Sequence, residues 1–309
     1  MIQQLSGEPI VELKQVTKTF GSKKAVNAVS FTIERGSITA ILGPNGAGKS
    51  TAISMMLGLK DTSEGEVLLF GQSPKDLKVR EKIGAMLQEV SVMDGLRTRE
   101  IINLIRSYYP NPMTLEEIAA LSGLTPEELG KWAVKMSGGQ KRKLSFALAI
   151  AGNPELLFFD EPTVGLDTSA RRLFWQTVRG LKAQGKTILF TTHYLQEADD
   201  IAERIVLFHQ GQVAADGTPE AIKSKLTRRT VSFIADADGQ QVIRLLLHEV
   251  PGVTDVYEQD GRLIAVTSDT DTALAALFRA GLAVRDIRID QGSLDEAFDQ
   301  LTMSQGEAG

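Results

Sequence analysis

Gly43-Pro44-Asn45-Gly46-Ala47-Gly48-Lys49-Ser50-Thr51 follows the apolar run Ser37-Ile38-Thr39-Ala40-Ile41-Leu42 and leads into Thr51-Ala52-Ile53-Ser54-Met55-Met56-Leu57, whose apolar spacing is helical. Strand, glycine-rich loop and helix in that order make a phosphate cradle. The glycines let the backbone curl so that successive N–H groups point at phosphate oxygens. Lys49 reaches the β- and γ-phosphates of a nucleotide, and the Ser50 hydroxyl is placed to ligate Mg²⁺. The helix that opens near Lys49 adds the positive end of its dipole. A glycine-rich stretch is sometimes no more than a tight turn; the flanking strand and helix decide for the cradle.

Outward from the loop, strand-like runs alternate with helical ones. Buried strands are expected at 38–42, 83–87, 156–160 and 187–191, separated by helix-like segments. This is the pattern of an α/β fold whose ligands gather at the carboxyl ends of its strands. Before the loop, Val11–Val16 and Ala28–Ile33 read as strands split by a turn at Gly21-Ser22, which predicts an antiparallel layer ahead of the parallel core. Between about 95 and 152 helical periodicity takes over, as in Arg99–Ile105 and Leu115–Leu121, and predicts an inserted helical subdomain. After Leu226 the order becomes strand 230–235, helix 240–249, strand 253–258, strand 262–267, helix 271–280, strand 284–289 and helix 293–302. Asp260-Gly261 is a two-residue hairpin signal between the middle strands. That order describes a small ferredoxin-like α+β domain. The expected division is 1–226 and 227–309.

With 309 residues, 42% hydrophobic and 24% charged, the chain has room for one large core and a smaller one. No apolar run reaches the roughly 20 residues that cross a bilayer, and Met1-Ile2-Gln3-Gln4-Leu5-Ser6 lacks the basic and apolar regions of an export signal. The expectation is a chain that neither spans a membrane nor is exported. The absence of cysteine excludes disulfides, thiolate zinc sites and thiol catalysis. A net charge of −5 gives no overall field to hold a nucleic-acid backbone, so no nucleic-acid partner is expected.

The apolar strand 156–160 ends in Asp160-Glu161. Adjacent carboxylates at a strand end sometimes mark only where the chain meets solvent. Beside a phosphate cradle they acquire chemistry: a Mg²⁺ held by Ser50 wants a further oxygen ligand, for which Asp160 is suited, and transfer of a phosphoryl group to water wants a base, for which Glu161 is suited.

From this point the order of motifs resembles that of the nucleotide-binding subunits of ABC transporters, over residues 10–225 without a gap. Residues 43–51 match the phosphate loop, Gln88 the Q-loop glutamine, Met136-Ser137-Gly138-Gly139-Gln140 the family signature, Asp160-Glu161 the Walker B pair, Gly165-Leu166-Asp167 the D-loop, and His193 the switch histidine. Phe20 falls where the family stacks an aromatic ring on adenine; its other reading is a core aromatic beside a turn. Met136 stands in place of the usual Leu, and Phe20 in place of the usual Tyr. The resemblance implies an α/β P-loop NTPase core of the ABC ATPase type that binds ATP and Mg²⁺. Nucleotide contacts are expected from Phe20, Gly43, Asn45, Gly46, Ala47, Gly48, Lys49, Ser50, Thr51, Ser137, Gly138, Gly139, Gln140 and Asp167. Metal contacts are expected from Ser50, Gln88 and Asp160, and catalysis from Glu161, His193, Gln88 and Lys49. It further implies that Ser137 and its glycines open a helix whose amino end meets the γ-phosphate bound by a second subunit, so that ATP is held between two chains.

The same resemblance implies partners: a separate integral membrane permease, and a second copy of this chain or a paralogous ATPase, at the cytoplasmic face of the membrane. Val90-Ser91-Val92-Met93-Asp94-Gly95-Leu96 falls where the family docks its permease, with internal packing as the alternative. Pro251-Gly252-Val253 and Ser293–Thr302 resemble the appended region of bacterial drug and antibiotic efflux ATPases, which implies export. That domain reads as a partner-contact or regulatory module, or else as one that only stabilises the core. The competing function is a soluble ABC ATPase of assembly or repair. A nucleotide-gated module without turnover fits poorly, because Lys49, Asp160, Glu161 and His193 are all present. Of the other histidines, His209 beside Gln210-Gly211 and His248 near a helix end read as solvated surface residues.

Overall fold

The computed structural model describes residues 8–88, 94–226 and 229–290, together with Leu294 and Glu296. Alternating burial along Val11–Phe20 (β1) and Lys23–Ile33 (β2) gives a hairpin with one apolar face, turned at Gly21-Ser22. Ile38–Leu42 (β3) is buried at every position, as expected of a strand covered on both faces. Lys49–Met56 (α1) follows the glycine loop, and Glu64–Leu69 (β4) returns to pair antiparallel with β1. The first sheet therefore has the order β2-β1-β4.

After the short helix Leu77–Arg80 (α2) comes Ile83–Met86 (β5), then the helical stretch: Thr98–Arg106 (α3), Leu115–Ser122 (α4), Pro126–Gly130 (α5) and Gly138–Ile150 (α6). The parallel pattern resumes with Leu156–Asp160 (β6), Thr168–Ala183 (α7), Thr187–Thr191 (β7), Leu195–Ile201 (α8), Arg204–His209 (β8) and Gln212–Gly217 (β9). These strands form a six-stranded sheet of order β5-β6-β7-β3-β8-β9, parallel except for the β8–β9 hairpin. β3 and β7 are neighbours, so the glycine loop after β3 and the residues after β6 and β7 emerge at one edge of the sheet. Phe146 of α6, Phe159 of β6 and Phe174 of α7 meet with ring centroids 5.2–5.7 Å apart, and so pin both helices to the sheet beneath that edge.

The chain separates into two units, Met1–Thr218 and Pro219–Gly309. Pro219–Leu226 (α9), which the sequence reading left with the first domain, falls in the second unit. The rest of that unit runs Arg229–Ala235 (β10), Ala237–His248 (α10), Val253–Gln259 (β11), Arg262–Thr267 (β12), Thr270–Arg279 (α11) and Val284–Asp290 (β13). Its antiparallel sheet has the order β11-β12-β10-β13, the ferredoxin-like arrangement, over a core that includes Val231, Phe233, Ile243, Leu263 and Leu277. Asp260 and Gly261 both take positive φ, as a two-residue hairpin demands. The closing helix expected at 293–302 lies outside the described residues except for Leu294 and Glu296.

β4, β8 and β9 are absent from the sequence reading. β4 begins Glu64-Gly65-Glu66, all exposed, and β9 shows no buried alternation, so neither carries an amphipathic signature.

Candidate active site

The glycine loop is shaped by what lies behind it. A Cβ on Gly43 would sit 2.3 Å from the Phe208 carbonyl oxygen, and one on Gly48, at φ +106°, 2.4 Å from that of Ala25. No side chain fits at either position. The turn of the β8–β9 hairpin braces the loop from outside: the Gly211 N–H donates to the Ala47 carbonyl at 3.0 Å, and the Gly211 carbonyl accepts from the Asn27 N–H at 2.8 Å. Lys49, at the start of α1, donates to the carbonyls of Gly43 (2.6 Å) and Pro44 (3.1 Å). Burial pushes its ammonium pKa down, against the opposing pull of Glu161 and Asp160. Asn45, Gly46 and Ser50 are exposed, and Thr51 is half-buried within α1.

Asp160 ends β6 with a buried carboxylate that accepts from the Thr191 hydroxyl of neighbouring β7. Glu161 follows with φ +51°, a left-handed conformation unusual for this residue, held by its N–H donating to the Thr191 hydroxyl (3.0 Å) and carbonyl (3.2 Å). This kink turns the second carboxylate away from the strand, where His193 Nδ1 lies 2.6 Å from its Oε2 and the His193 N–H donates to it at 3.3 Å. Lys49, Asp160, Glu161 and His193 thus form one cluster.

Gln88 lies just beyond β5, with an exposed side chain. Its carbonyl accepts from Arg142 Nη1 at 2.9 Å, while Arg142 Nε donates to the Pro162 carbonyl at 2.9 Å. Arg142 is buried, and the sequence reading passed over it. Burial lowers its pKa and the nearby Glu161 and Asp160 push back. Arg142 is the middle of the basic triplet Lys141-Arg142-Lys143, so nothing in the sequence marks it off from its basic neighbours.

Ser137 caps α6: its hydroxyl accepts from the Gln140 N–H, and the Gln140 side chain accepts in return from the Ser137 N–H at 3.0 Å. Ser137 and Gly138 are exposed. Asp167 caps α7 through the Ala170 N–H at 2.8 Å. Ser137, Gly139 and Gln140 line, with Gly165, Leu166 and Asp167, a cavity of about 270 Å³ between α6 and α7. Among the described residues no hydrogen bond or ion pair joins Ser137–Gln140 to residues 43–51. The expected nucleotide contacts therefore fall into two groups, the second of which lines that cavity with Asp167.

Phe20 is not a core aromatic: it is 46% exposed at the β1–β2 turn, with the ammonium groups of Lys18 and Lys60 at 5.4 and 5.0 Å from its ring centre. His248 is exposed as expected. His209 is not solvated: both ring nitrogens are shielded and lack a hydrogen-bond partner. It ends β8, paired with Gln212 of β9, a hairpin that the sequence pattern does not predict. Of the stretch 90–96, Val90–Met93 lie outside the described residues; Asp94 and Gly95 are exposed and Leu96 is half-buried.

The residues expected to hold Mg²⁺ offer a hydroxyl, an amide and a single carboxylate, all oxygen donors. Among the described residues no group of three or more His, Cys, Asp or Glu forms a metal cage. That donor set fits a cation that keeps water and substrate phosphate in its coordination sphere. No helix among the described residues is long and apolar enough to cross a membrane.

Comparison with known proteins places this geometry. The family model described as ABC transporter matches residues 26–164, and a model described as AAA domain, putative AbiEii toxin, Type IV TA system matches 132–198. The chain is 34% identical to the Nod factor export ATP-binding protein I of Rhizobium sp. (strain N33), over 94% of this chain and 96% of that one. It is 35% identical to the daunorubicin/doxorubicin resistance ATP-binding protein DrrA of Streptomyces peucetius, over 94% and 92%. Among solved structures, an ATP-binding subunit of an ABC transporter matches with TM-score 0.65 and 26% identity over 70% of this chain and 92% of that one. A dimeric ATP-binding cassette in a post-hydrolysis state, bound to ADP and Pi, matches with TM-score 0.62 and 28% identity over 67% and 98%.

Proposed function

This chain belongs to the ABC transporter family as an ATP-hydrolysing, ATP-binding subunit of the export type, and from that premise we propose that two such subunits close head to tail over ATP and drive a separate membrane permease. The observation that carries the reading is the division of the site. The glycine loop, Asp160, Glu161 and His193 gather in one cluster, while Ser137–Gln140 present an exposed, capped helix end elsewhere on the same chain. A helix amino terminus of this kind favours an anion, and the triphosphate cradled by a partner supplies one. The dimeric post-hydrolysis cassette supports the pairing.

In each site the loop N–H groups and the Lys49 ammonium hold and neutralise the β- and γ-phosphates. Glu161 takes the proton of the attacking water, its carboxylate oriented by His193, whose Nε2 edge remains available to the γ-phosphate. Phe20 stacks on the base. Ser50, Asp160 and Gln88 would hold Mg²⁺, which would supply charge neutralisation to the phosphates. Gln88 and Asp167 complete the site from the Q-loop and D-loop.

The permease chooses the cargo. Relatives named for Nod factor export and daunorubicin/doxorubicin resistance support a drug, antibiotic or lipid-like cargo, moved outward from a subunit seated on the cytoplasmic face of the membrane. The alternative of a soluble ATPase of assembly or repair draws no support from them.

Glu161→Gln is the direct test. It is expected to bind ATP, to lose at least about 100-fold in turnover, and to elute as a dimer on gel filtration in Mg-ATP but as a monomer in ADP. A profile that stays monomeric in Mg-ATP would overturn the head-to-tail site.

A further inference from the structure

We propose that the Tyr194 ring, carried by Arg171 and the buried Glu197, is a positioning platform that holds His193 against Glu161; this rests on the role given to His193 above. The imidazole is 54% exposed at its side chain, so core packing does not fix it. Its ring lies 4.1 Å from that of Tyr194, centre to centre, with the planes 38° apart. The Arg171 guanidinium carbon sits 4.2 Å from the centre of the same Tyr194 ring, a cation–π contact.

Arg171 is in turn held by a charge with nowhere else to go. Glu197 is 6% exposed, and its Oε2 accepts from the hydroxyls of Thr163 and Thr192, each at 2.9 Å. Its Oε1 has no hydrogen bond, and the nearest cation is Arg171 Nε at 3.3 Å. A buried carboxylate needs that cation, which fixes the guanidinium in place. Thr192 also accepts from the Tyr194 N–H at 3.0 Å, so the ring's own backbone belongs to the assembly. Arg171 lies in the first turn of α7, and its N–H donates to the carbonyl of the cap, Asp167, at 2.9 Å. The chain of contacts therefore runs from the D-loop through Arg171 and Tyr194 to His193 and ends on Glu161.

Tyr194 is the residue to test, because truncating Arg171 would strand the Glu197 charge and unsettle the fold. In full-length protein, Tyr194→Leu is expected to lower kcat for ATP at least about tenfold with KM within about twofold, since a misplaced group costs rate rather than ground-state binding. Tyr194→Phe, which keeps the ring, is expected to restore most of the lost rate. In a His193→Ala background, adding Tyr194→Leu is expected to cost nothing further, because Tyr194 acts through the imidazole. Any of three results overturns the platform: wild-type kcat in Tyr194→Leu, a Phe variant as impaired as Leu, or a full additional loss on top of His193→Ala. A melting temperature lowered in step with kcat in both Tyr194 variants would also overturn it, as the mark of a purely structural ring. His193→Ala turning over at the wild-type rate would instead overturn the role of His193 itself.

Discussion

At the scale of single residues, the least anticipated is Arg142. One guanidinium reaches the Gln88 carbonyl and the Pro162 carbonyl at 2.9 Å each, and so ties the helix of the signature to both the Q-loop and the chain just after Glu161. Its charge is buried, and hydrogen bonds from a charged donor are worth more than neutral ones. Arg142→Met is therefore expected to lower the unfolding free energy by about 2–4 kcal/mol, measured by urea denaturation. It should also reduce hydrolysis while ATP affinity, read by fluorescent-nucleotide titration, stays near wild type. Arg142→Lys places one donor cluster where two carbonyls wait, and should fall between. The cradle residues were readable because their chemistry is local: Lys49 contacts Gly43 and Pro44 a few positions away. Arg142 was not, because its partners are 54 and 20 positions distant.

At the scale of elements, the helical stretch is organised by caps. Thr114, Thr125 and Ser137 each open a helix and each is answered three residues later by Glu117, Glu128 or Gln140. Such boxes are written in four consecutive residues, a signal that stands beside the apolar periodicity on which the expectation of these helices rests. Glu128 does more than cap. Besides accepting from the Thr125 N–H at 2.9 Å, it meets the Gln140 amide at 3.2 Å and the Lys143 ammonium at 3.4 Å, joining α5 to α6. Burial pushes its carboxyl up, but the Thr125 N–H, Lys143 and Gln140 outweigh it and hold the pKa below the ordinary carboxylate value. A carboxyl depressed on folding stabilises at neutral pH and loses that contribution as pH falls through its folded pKa. Glu128→Gln should thus melt below wild type at pH 7, and thermal melts at decreasing pH should show the gap closing under the ordinary carboxylate range.

At the scale of the whole molecule, the proposed sharing of each site between two chains would make activity a property of pairs. Ser137→Arg places a bulky cation at the exposed helix end without touching the glycine loop. It should leave nucleotide binding within about twofold of wild type yet abolish phosphate release; unaltered release would count against any role across an interface. From the sequence alone came the cradle, the motif order and most of the strands and helices, though not β4, β8 or β9, because each of these depends on periodicity or contacts among near neighbours. Tertiary structure alone decided that Thr191 supports both acidic residues, that Gly211 braces Ala47, and that Glu197 gathers Thr163, Thr192 and Arg171. Those contacts exist only once β6 lies beside β7, β7 beside β3 and β3 beside β8, neighbour relations set by the packing of the sheet and not by any residue's local preference.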